Sequence, residues 1–273
     1  MSIKPMDAIK KLEAEIDSTP ESGANEKAYF DFHRERFRRF DRFLEGNVAA
    51  GTDRRVLEIG SHYLHTSILL ASRGFQVDAM DVAEFWDLPF VKARGEKFGL
   101  NPIVNNELSK LERFAEVVDR YDLVVFTEIM EHITFNPIVF WKRIYQLLKP
   151  GGMIYISTPN AFALPNYIRN LKNAILMRSI GITVDDILSK VTYGHHWKEY
   201  SAKEIRGYFQ ALSPDFEVEI HPYHYKNHEL KSPYLMFKLL SRIGNTTKTF
   251  ADDLEVVVRL AQKSQWAIQE PEY

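Results

Sequence analysis

Residues 55–81 constrain the fold more than any other stretch of this chain. Val56, Leu57 and Ile59 make a short apolar run with β-branched members, and the run stops at Gly60. That pattern is a buried parallel strand entering a turn. Residues 66–73 read as a helix closed by Gly74, and 75–80 as a second strand with Asp81 at its end. A strand, turn, helix and acid-ended strand form the unit of a nucleotide-binding half-domain. Backbone N–H groups of such a turn can meet a polar ligand tail, and the acid can accept hydrogen bonds from ribose hydroxyls.

A dinucleotide site needs G-x-G-x-x-G, because a pyrophosphate must approach the backbone closely. The turn here is Gly60-Ser-His-Tyr-Leu-His-Thr66, with one glycine. Glu58 at the end of the strand would repel a phosphate but attract a cationic amine. The stretch resembles the first motif of class I S-adenosylmethionine-dependent methyltransferases, in which an acid-x-Gly-x-Gly-x-Gly turn binds the amino-acid end of the cofactor. Glu58 and Gly60 match it; His62 and Leu64 stand where that family usually has glycines. The resemblance implies S-adenosylmethionine as cofactor, held by Glu58, Gly60, Ser61, His62, Asp81, Val82, Glu107 and Thr127. The competing expectations are a core strand without any ligand, an altered cofactor pocket, and an NAD site, which the glycine pattern disfavours.

Later segments extend the pattern. Residues 101–108 read as a third strand and loop, 121–128 as a fourth strand, 137–148 as an amphipathic helix, and 153–158 as a fifth strand after Lys149-Pro-Gly-Gly152. Alternating strands and helices predict a mostly parallel sheet with right-handed crossovers. Residues 148–160 resemble the fourth-helix to fifth-strand segment of the same family. Two late strands, 216–220 and 254–261, resemble its antiparallel sixth and seventh. The expected fold is therefore α/β, the Rossmann-like class I methyltransferase fold, with a seven-stranded mostly parallel sheet and helical insertions.

The expected organisation is an N-terminal helical segment and connector over 1–50, a methyltransferase domain over 51–262, and a frayed polar tail over 263–273. Insertions fall at about 161–200 and 226–250. The first is apolar at near-helical spacing and follows a strand's carboxyl end, where ligands bind in α/β folds. It is expected to cover an acceptor or to form a homodimer face. Residues 26–45 read as a helix whose five arginines either form an anion-binding patch or cover apolar neighbours with their stems. Ser201 with Glu204 predicts a capped helix start.

Chemistry concentrates in Glu128-Ile-Met-Glu-His132 at the end of the fourth strand. If a helical turn follows, positions 128, 131 and 132 share one face. Gly194-His-His-Trp-Lys-Glu-Tyr200 lies just before the Ser201 helix and can return a histidine to that edge. Two carboxylates and two imidazoles suit a divalent cation; histidines favour manganese, iron, cobalt or zinc over magnesium. The pattern resembles ubiquinone-pathway O-methyltransferases and small-RNA 3′-terminal 2′-O-methyltransferases. That resemblance implies Glu128, Glu131, His132 and His196 as metal ligands. Without a metal, His132 and His196 are candidate bases, with Glu131 orienting a histidine. Asn105, Asn106, Phe85 and Trp86 are candidates near an adenine. The histidines at 221, 224 and 228 either line a pocket or sit on a surface loop.

Composition narrows the function classes. There is no cysteine, so thiol chemistry is excluded, and the formal net charge of −2 carries no long basic tract. Nucleic-acid binding is therefore disfavoured. No run reaches transmembrane length, and the amino terminus lacks an apolar signal stretch, so the expected location is cytoplasmic. The leading expectation is O-methylation of a hydroxylated small molecule such as a sugar, polyol or phenol. Terminal RNA methylation and a non-catalytic binding protein on the same fold are the alternatives.

Overall fold

Ten α-helices and seven strands occur among the described residues. In chain order they are α1 (Pro5–Asp17), α2 (Gly23–Asn47), β1 (Arg55–Ile59), α3 (His65–Ser72), β2 (Gln76–Asp81), α4 (Ala83–Trp86), α5 (Pro89–Lys97), β3 (Asn101–Val104), β4 (Tyr121–Thr127), α6 (Ile138–Leu147), β5 (Leu148–Pro159), α7 (Leu164–Ile175), α8 (Val184–Ser189), α9 (Ala202–Leu212), β6 (Phe216–Tyr223), α10 (Leu235–Gly244) and β7 (Asp253–Leu260). The structure is a computed structural model describing residues 5–19, 23–48, 53–178, 180–189, 191, 194–224 and 235–271. One mostly parallel sheet has the order β3-β2-β1-β4-β5-β7-β6. β1 pairs in parallel with β2, β2 pairs in parallel with β3, and β6 runs antiparallel to β7. The strand order reverses after β1, which makes its carboxyl end a topological switch point. No helix among the described residues is long and apolar enough to cross a membrane.

The chain divides into two units. The first gathers Met1–Val125 and Arg143–Met153. Val56, Leu57 and Ile59 of β1 are buried with Val77, Ala79 and Met80 of β2 and Ile68, Leu69 and Leu70 of α3. Each such side chain contributes roughly 1.5–3 kcal/mol on burial. α3 is stopped by Gly74 at φ 86°, whose N–H donates to Ala71 O at 2.9 Å. α2 buries Phe30, Phe37, Phe40 and Leu44. Arg34 pairs with Glu13 and Asp31, and Arg42 with Glu35, which favours the covering role over an anion patch for these arginines. Arg36 is buried.

The second unit gathers Phe126–Lys142, Ile154–His224 and His228–Tyr273. Its core includes Phe126, Phe140, Trp141, Ile154, Ile156, Phe209 and the run 256–258 of β7. Trp141 Nε1 donates to Tyr208 Oη at 2.8 Å, which supplies the partner a buried indole needs. The Ser201 capping box forms on α9, with Glu204 N donating to Ser201 Oγ at 3.2 Å and Ser201 N to Glu204 Oε2 at 2.8 Å. The tail differs from the sequence expectation. Asp215 accepts from Ser264 N, Ser264 Oγ and Gln265 N at 2.7, 2.6 and 2.9 Å, so residues 264–265 are pinned rather than frayed. A buried carboxylate satisfied by tail donors was not visible in a polar stretch of sequence.

Candidate functional site

The turn after β1 follows the expected path without the expected glycines. Gly60, His62 and Leu64 take φ values of 79°, 46° and 67°. The left-handed region costs a side-chain-bearing residue roughly 1–2 kcal/mol, so the backbone keeps a glycine-type geometry against a local penalty. The expectation that the turn's N–H groups face a ligand is corrected for four of them. Gly60 N and Ser61 N both donate to Met80 O, at 2.9 and 3.1 Å, and Leu64 N donates to Ser61 O at 2.7 Å. His62 N donates to Asp81 Oδ2 at 2.5 Å. The reason is register: Ile59 sits opposite Met80, so the turn continues onto the adjoining end of β2.

A ligand here would meet side chains instead. Glu58 is buried, and Ser67 Oγ donates to its carboxylate. Burial pushes its pKa up to about 8, with the Ser67 and Thr66 hydroxyls and Arg36 opposing. Asp81 accepts from His62 N and from Val82 N, the latter at 2.7 Å. Burial raises its pKa against those two bonds. A carboxylate has about four lone-pair sites, so two remain for ribose hydroxyls. Ser61 Oγ is buried with no hydrogen-bond partner among the described residues. A neutral or cationic ligand end beside acidic groups and an unsatisfied hydroxyl fits the amino-acid and ribose portions of S-adenosylmethionine. It does not fit a pyrophosphate.

Sequence reasoning missed the contribution of α2 and α5. Tyr29 of α2 packs its ring 5.1 Å from His62 and 4.4 Å from His33. His62 also meets Phe85 at 4.4 Å. Burial holds His62 neutral, with its pKa lowered to about 3, and lowers that of His33 as well. Arg36 Nη2 donates to Tyr29 Oη at 2.7 Å, and its charge stabilises the Glu58 carboxylate. Glu26 is fully buried against Arg94 and His65. The only sequence signal was that α2 carries both aromatic and charged residues. Trp86 is core and packs under Gly95, where an added Cβ would meet its ring at 3.0 Å. Glu107 lies exposed beyond β3, paired with Lys110 at 3.0 Å. Asn106 Oδ1 accepts from Ala83 N at 2.8 Å.

The acidic and histidine residues meet within the second unit. Thr127 ends β4, and Glu128 then takes φ 54°. Glu128 N donates to Ser157 O, and Ser157 Oγ donates to Glu128 Oε1, each at 2.8 Å. Residues 130–132 form a single 3₁₀ turn. The one helical face expected for 128, 131 and 132 does not form, because the left-handed residue turns the chain first. Glu131, His132 and His196 do converge, each offering an atom within 4.8 Å of the others. Glu128 stands outside that set and acts through its charge, raising the Glu131 pKa.

His196 arrives by backbone bonding. Trp197 N donates to Glu131 O at 2.8 Å, and Lys198 N to the same oxygen at 3.3 Å. His132 Nδ1–H donates to His195 O at 2.9 Å. Nδ1 of His196 lies 3.1 Å from Glu199 Oε1. An Nδ1–H held by an oxygen leaves Nε2 as the lone-pair nitrogen, the arrangement of metal-ligating and base histidines. Burial lowers the His132 pKa, whereas the Glu199 hydrogen bond raises that of His196. Glu131 is buried, and Thr158 Oγ1 donates to its Oε2 at 2.9 Å. Its Oε1 has no hydrogen-bond partner among the described residues. Burial, then the Glu128 charge, pushes its pKa to about 8. One unsatisfied carboxylate oxygen and two imidazoles fit a divalent cation by donor type. His221 and His224 lie in and just after β6, with His221 Nε2 3.0 Å from Glu219, while His228 lies outside the described residues. α7, the turn after it and α8 leave Ile175, Met177 and Leu188 exposed.

The fold and the turn define the class of S-adenosylmethionine-dependent methyltransferases. The methyltransferase domain family matches residues 32–217, and the chain belongs to it. Over 126 residues it is 32% identical to the ubiquinone biosynthesis O-methyltransferase of Ruegeria pomeroyi, covering 44% of this chain and 47% of that one. Over 176 residues it is 29% identical to the protein of the same name from Caulobacter vibrioides, covering 61% and 63%. The chain thus spans about half to three-fifths of these curated relatives. Among solved structures, a SAM-dependent methyltransferase from Archaeoglobus fulgidus superposes with a TM-score of 0.53 at 15% identity, covering 89% of this chain and 98% of that one. That likeness shows the fold.

Proposed function

We propose that the chain transfers the methyl group of S-adenosylmethionine to a hydroxyl of a small molecule. The observation that carries the reading is the convergence of Glu131, His132 and His196. When bound, the cofactor supplies an electrophilic methyl on a sulfonium. In this reading Glu58 receives its ammonium, Arg36 its carboxylate and Asp81 its ribose. Methyl transfer to a hydroxyl needs alignment, exclusion of water and removal of a proton. Without a metal, His132, kept neutral by burial, takes the proton at Nε2; with one, that nitrogen would be a ligand instead. Glu131, His132 and His196 would hold a divalent cation, which would lower the pKa of a bound hydroxyl. The insertion carrying α7 and α8 supplies an apolar cover for the acceptor, a role its exposed Ile175, Met177 and Leu188 support. The names of the curated relatives support oxygen as the methylated atom.

The test is a methyl-transfer assay with phenol, catechol, sugar and polyol acceptors, using metal-stripped protein and separate additions of magnesium, manganese, cobalt and zinc. Transfer to a hydroxyl supports the reading. Full activity with chelator and no bound metal would leave the imidazole base as the mechanism. Titration calorimetry showing no S-adenosylmethionine binding by folded protein would sink it.

A further inference from the structure

The turn after β1 adopts left-handed backbone at His62 and Leu64, and leucine is poorly suited to it. Something outside the turn must hold it there, because local propensity opposes the path. Met80 and Asp81 of β2 hold residues 60–62, and the contacts that flank Leu64 come from two distant helices. Glu26, near the start of α2, is fully buried. Its Oε1 accepts from His65 Nε2 at 2.7 Å. Arg94 of α5 donates to both of its oxygens, from Nη1 to Oε1 and from Nη2 to Oε2, the second at 3.1 Å. The same Arg94 Nη1 donates to Tyr63 O at 3.2 Å. Tyr63 and His65 are the two neighbours of Leu64. One carboxylate therefore fixes the residue after Leu64 directly and the residue before it through Arg94. A further acid joins from α1, where Glu15 Oε1 lies 3.5 Å from Arg94 Nε.

We infer that Glu26 is a positioning residue for cofactor binding: with Arg94 it clamps Tyr63 and His65 on either side of Leu64, and so holds a glycine-poor turn in the shape that glycines would otherwise permit. An ion pair that merely joined α2 to α5 would need no bond to the turn carbonyl, and Arg94 makes one. Glycine reaches the left-handed region without the penalty that Leu64 meets. The clamp is accordingly redundant in a turn with glycine in place of Leu64 and needed in this one. That dependence separates a positioning role from general stabilisation. The inference rests on the turn being the S-adenosylmethionine site.

The experiment is a double-mutant cycle read by titration calorimetry with S-adenosylmethionine, on wild type, Glu26→Gln, Leu64→Gly and the double variant. Glu26→Gln is expected to weaken binding about tenfold in the wild-type background and about twofold or less in the Leu64→Gly background. A Glu26→Gln protein with lowered Tm and wild-type affinity would overturn the inference, as would equal weakening in both backgrounds. Removing one partner of a buried pair can unfold a protein. If Glu26→Gln does not fold, Arg94→Lys replaces it: the charge stays, the fork and the Tyr63 bond go, and the same background-dependent loss is expected. Amide exchange over residues 62–66 gives a readout without ligand. Faster exchange in the clamp variants supports the inference, and unchanged exchange overturns it. Failure of wild type to bind S-adenosylmethionine would count against the cofactor site itself, with the exchange result still deciding the clamp.

Discussion

Glu131 Oε1 lies 3.8 Å from His132 Nε2, while the other oxygen of the same carboxylate accepts from Thr158. The pair is thus oriented from behind by β5 and has one acid oxygen left to face the imidazole. Replacing Glu131 by Gln keeps the shape but removes the acid oxygen that faces His132 and that would ionise on ligating a cation. The expected result is a fall in kcat/KM of about 10²-fold or more, the usual scale of a lost acid–base or ligand group. His132→Ala should cost as much or more. S-adenosylmethionine affinity, measured in parallel by calorimetry, should stay near wild type, because these residues belong to the acceptor side of the proposed reaction. A parallel loss of cofactor affinity would reject that division of labour.

Glu58 is predicted to set a proton linkage on cofactor binding. Its pKa is raised by burial to about 8, against an ordinary value of 4.5, so at pH 7 the carboxyl is mostly protonated. A cofactor ammonium at this position favours the ionised form, so binding at pH 7 should release a proton. Calorimetry in buffers of different ionisation enthalpy reads the number directly, and Glu58→Gln should abolish the release. The stability consequence has a definite sign. Between pH 4.5 and about 8 the folded protein binds more protons at Glu58 than the unfolded chain does. This group's contribution to stability therefore falls as pH rises through that window. In Glu58→Gln, thermal melts across the window should lose that part of the slope.

Asp81 is predicted to bind ribose through its remaining lone pairs. Asp81→Ala loses charge-assisted bonds to the cofactor, each worth roughly 1.5–3 kcal/mol. It also releases His62 N and Val82 N, which the carboxylate now holds. S-adenosylmethionine binding should weaken by at least about tenfold, the equivalent of 1.4 kcal/mol. Asp81→Asn keeps an acceptor and should lose less. Unchanged affinity in Asp81→Ala would reject the assignment.

The parts of this molecule legible in sequence are those carried by local pattern. Apolar runs with β-branched residues marked β1, β4 and β5, and the Ser201 and Glu204 spacing marked the start of α9. Glu58, Gly60 and Asp81 fell where expected because strand ends and turns leave short-range signatures. The missed features are tertiary. Glu26 and Arg94 are 68 residues apart and read separately as ordinary charges on helices. The return of His196 was expected from the family resemblance, but the bonds that deliver it, from Trp197 N and Lys198 N to Glu131 O, are in no spacing rule. Glu128 shows the same limit from the other side. Helical periodicity placed it with Glu131 and His132, but with its left-handed φ and its bonds to Ser157 it stands outside their cluster and acts on it through charge.

The carboxyl-terminal segment supplies a prediction about stability rather than chemistry. Asp215 precedes β6 and is buried, and it accepts three hydrogen bonds from Ser264 and Gln265. Ser213 Oγ donates to Gln265 O at 2.6 Å, and Ala267 N donates to Leu212 O at 2.9 Å, so the tail is stitched to the end of α9 from both sides. Asp215→Ala removes the charged acceptor and leaves two backbone donors to find water. A loss of roughly 2–4 kcal/mol is expected, since charge-assisted bonds contribute about 1.5–3 kcal/mol each and do not add fully. Hydrogen exchange should accelerate at Ser264, Gln265 and Ala267 before any change appears in β1. Asp215→Asn keeps an acceptor oxygen and should retain part of the protection. A variant that melts like wild type with the tail amides unchanged would show that these bonds are replaced by water at no cost.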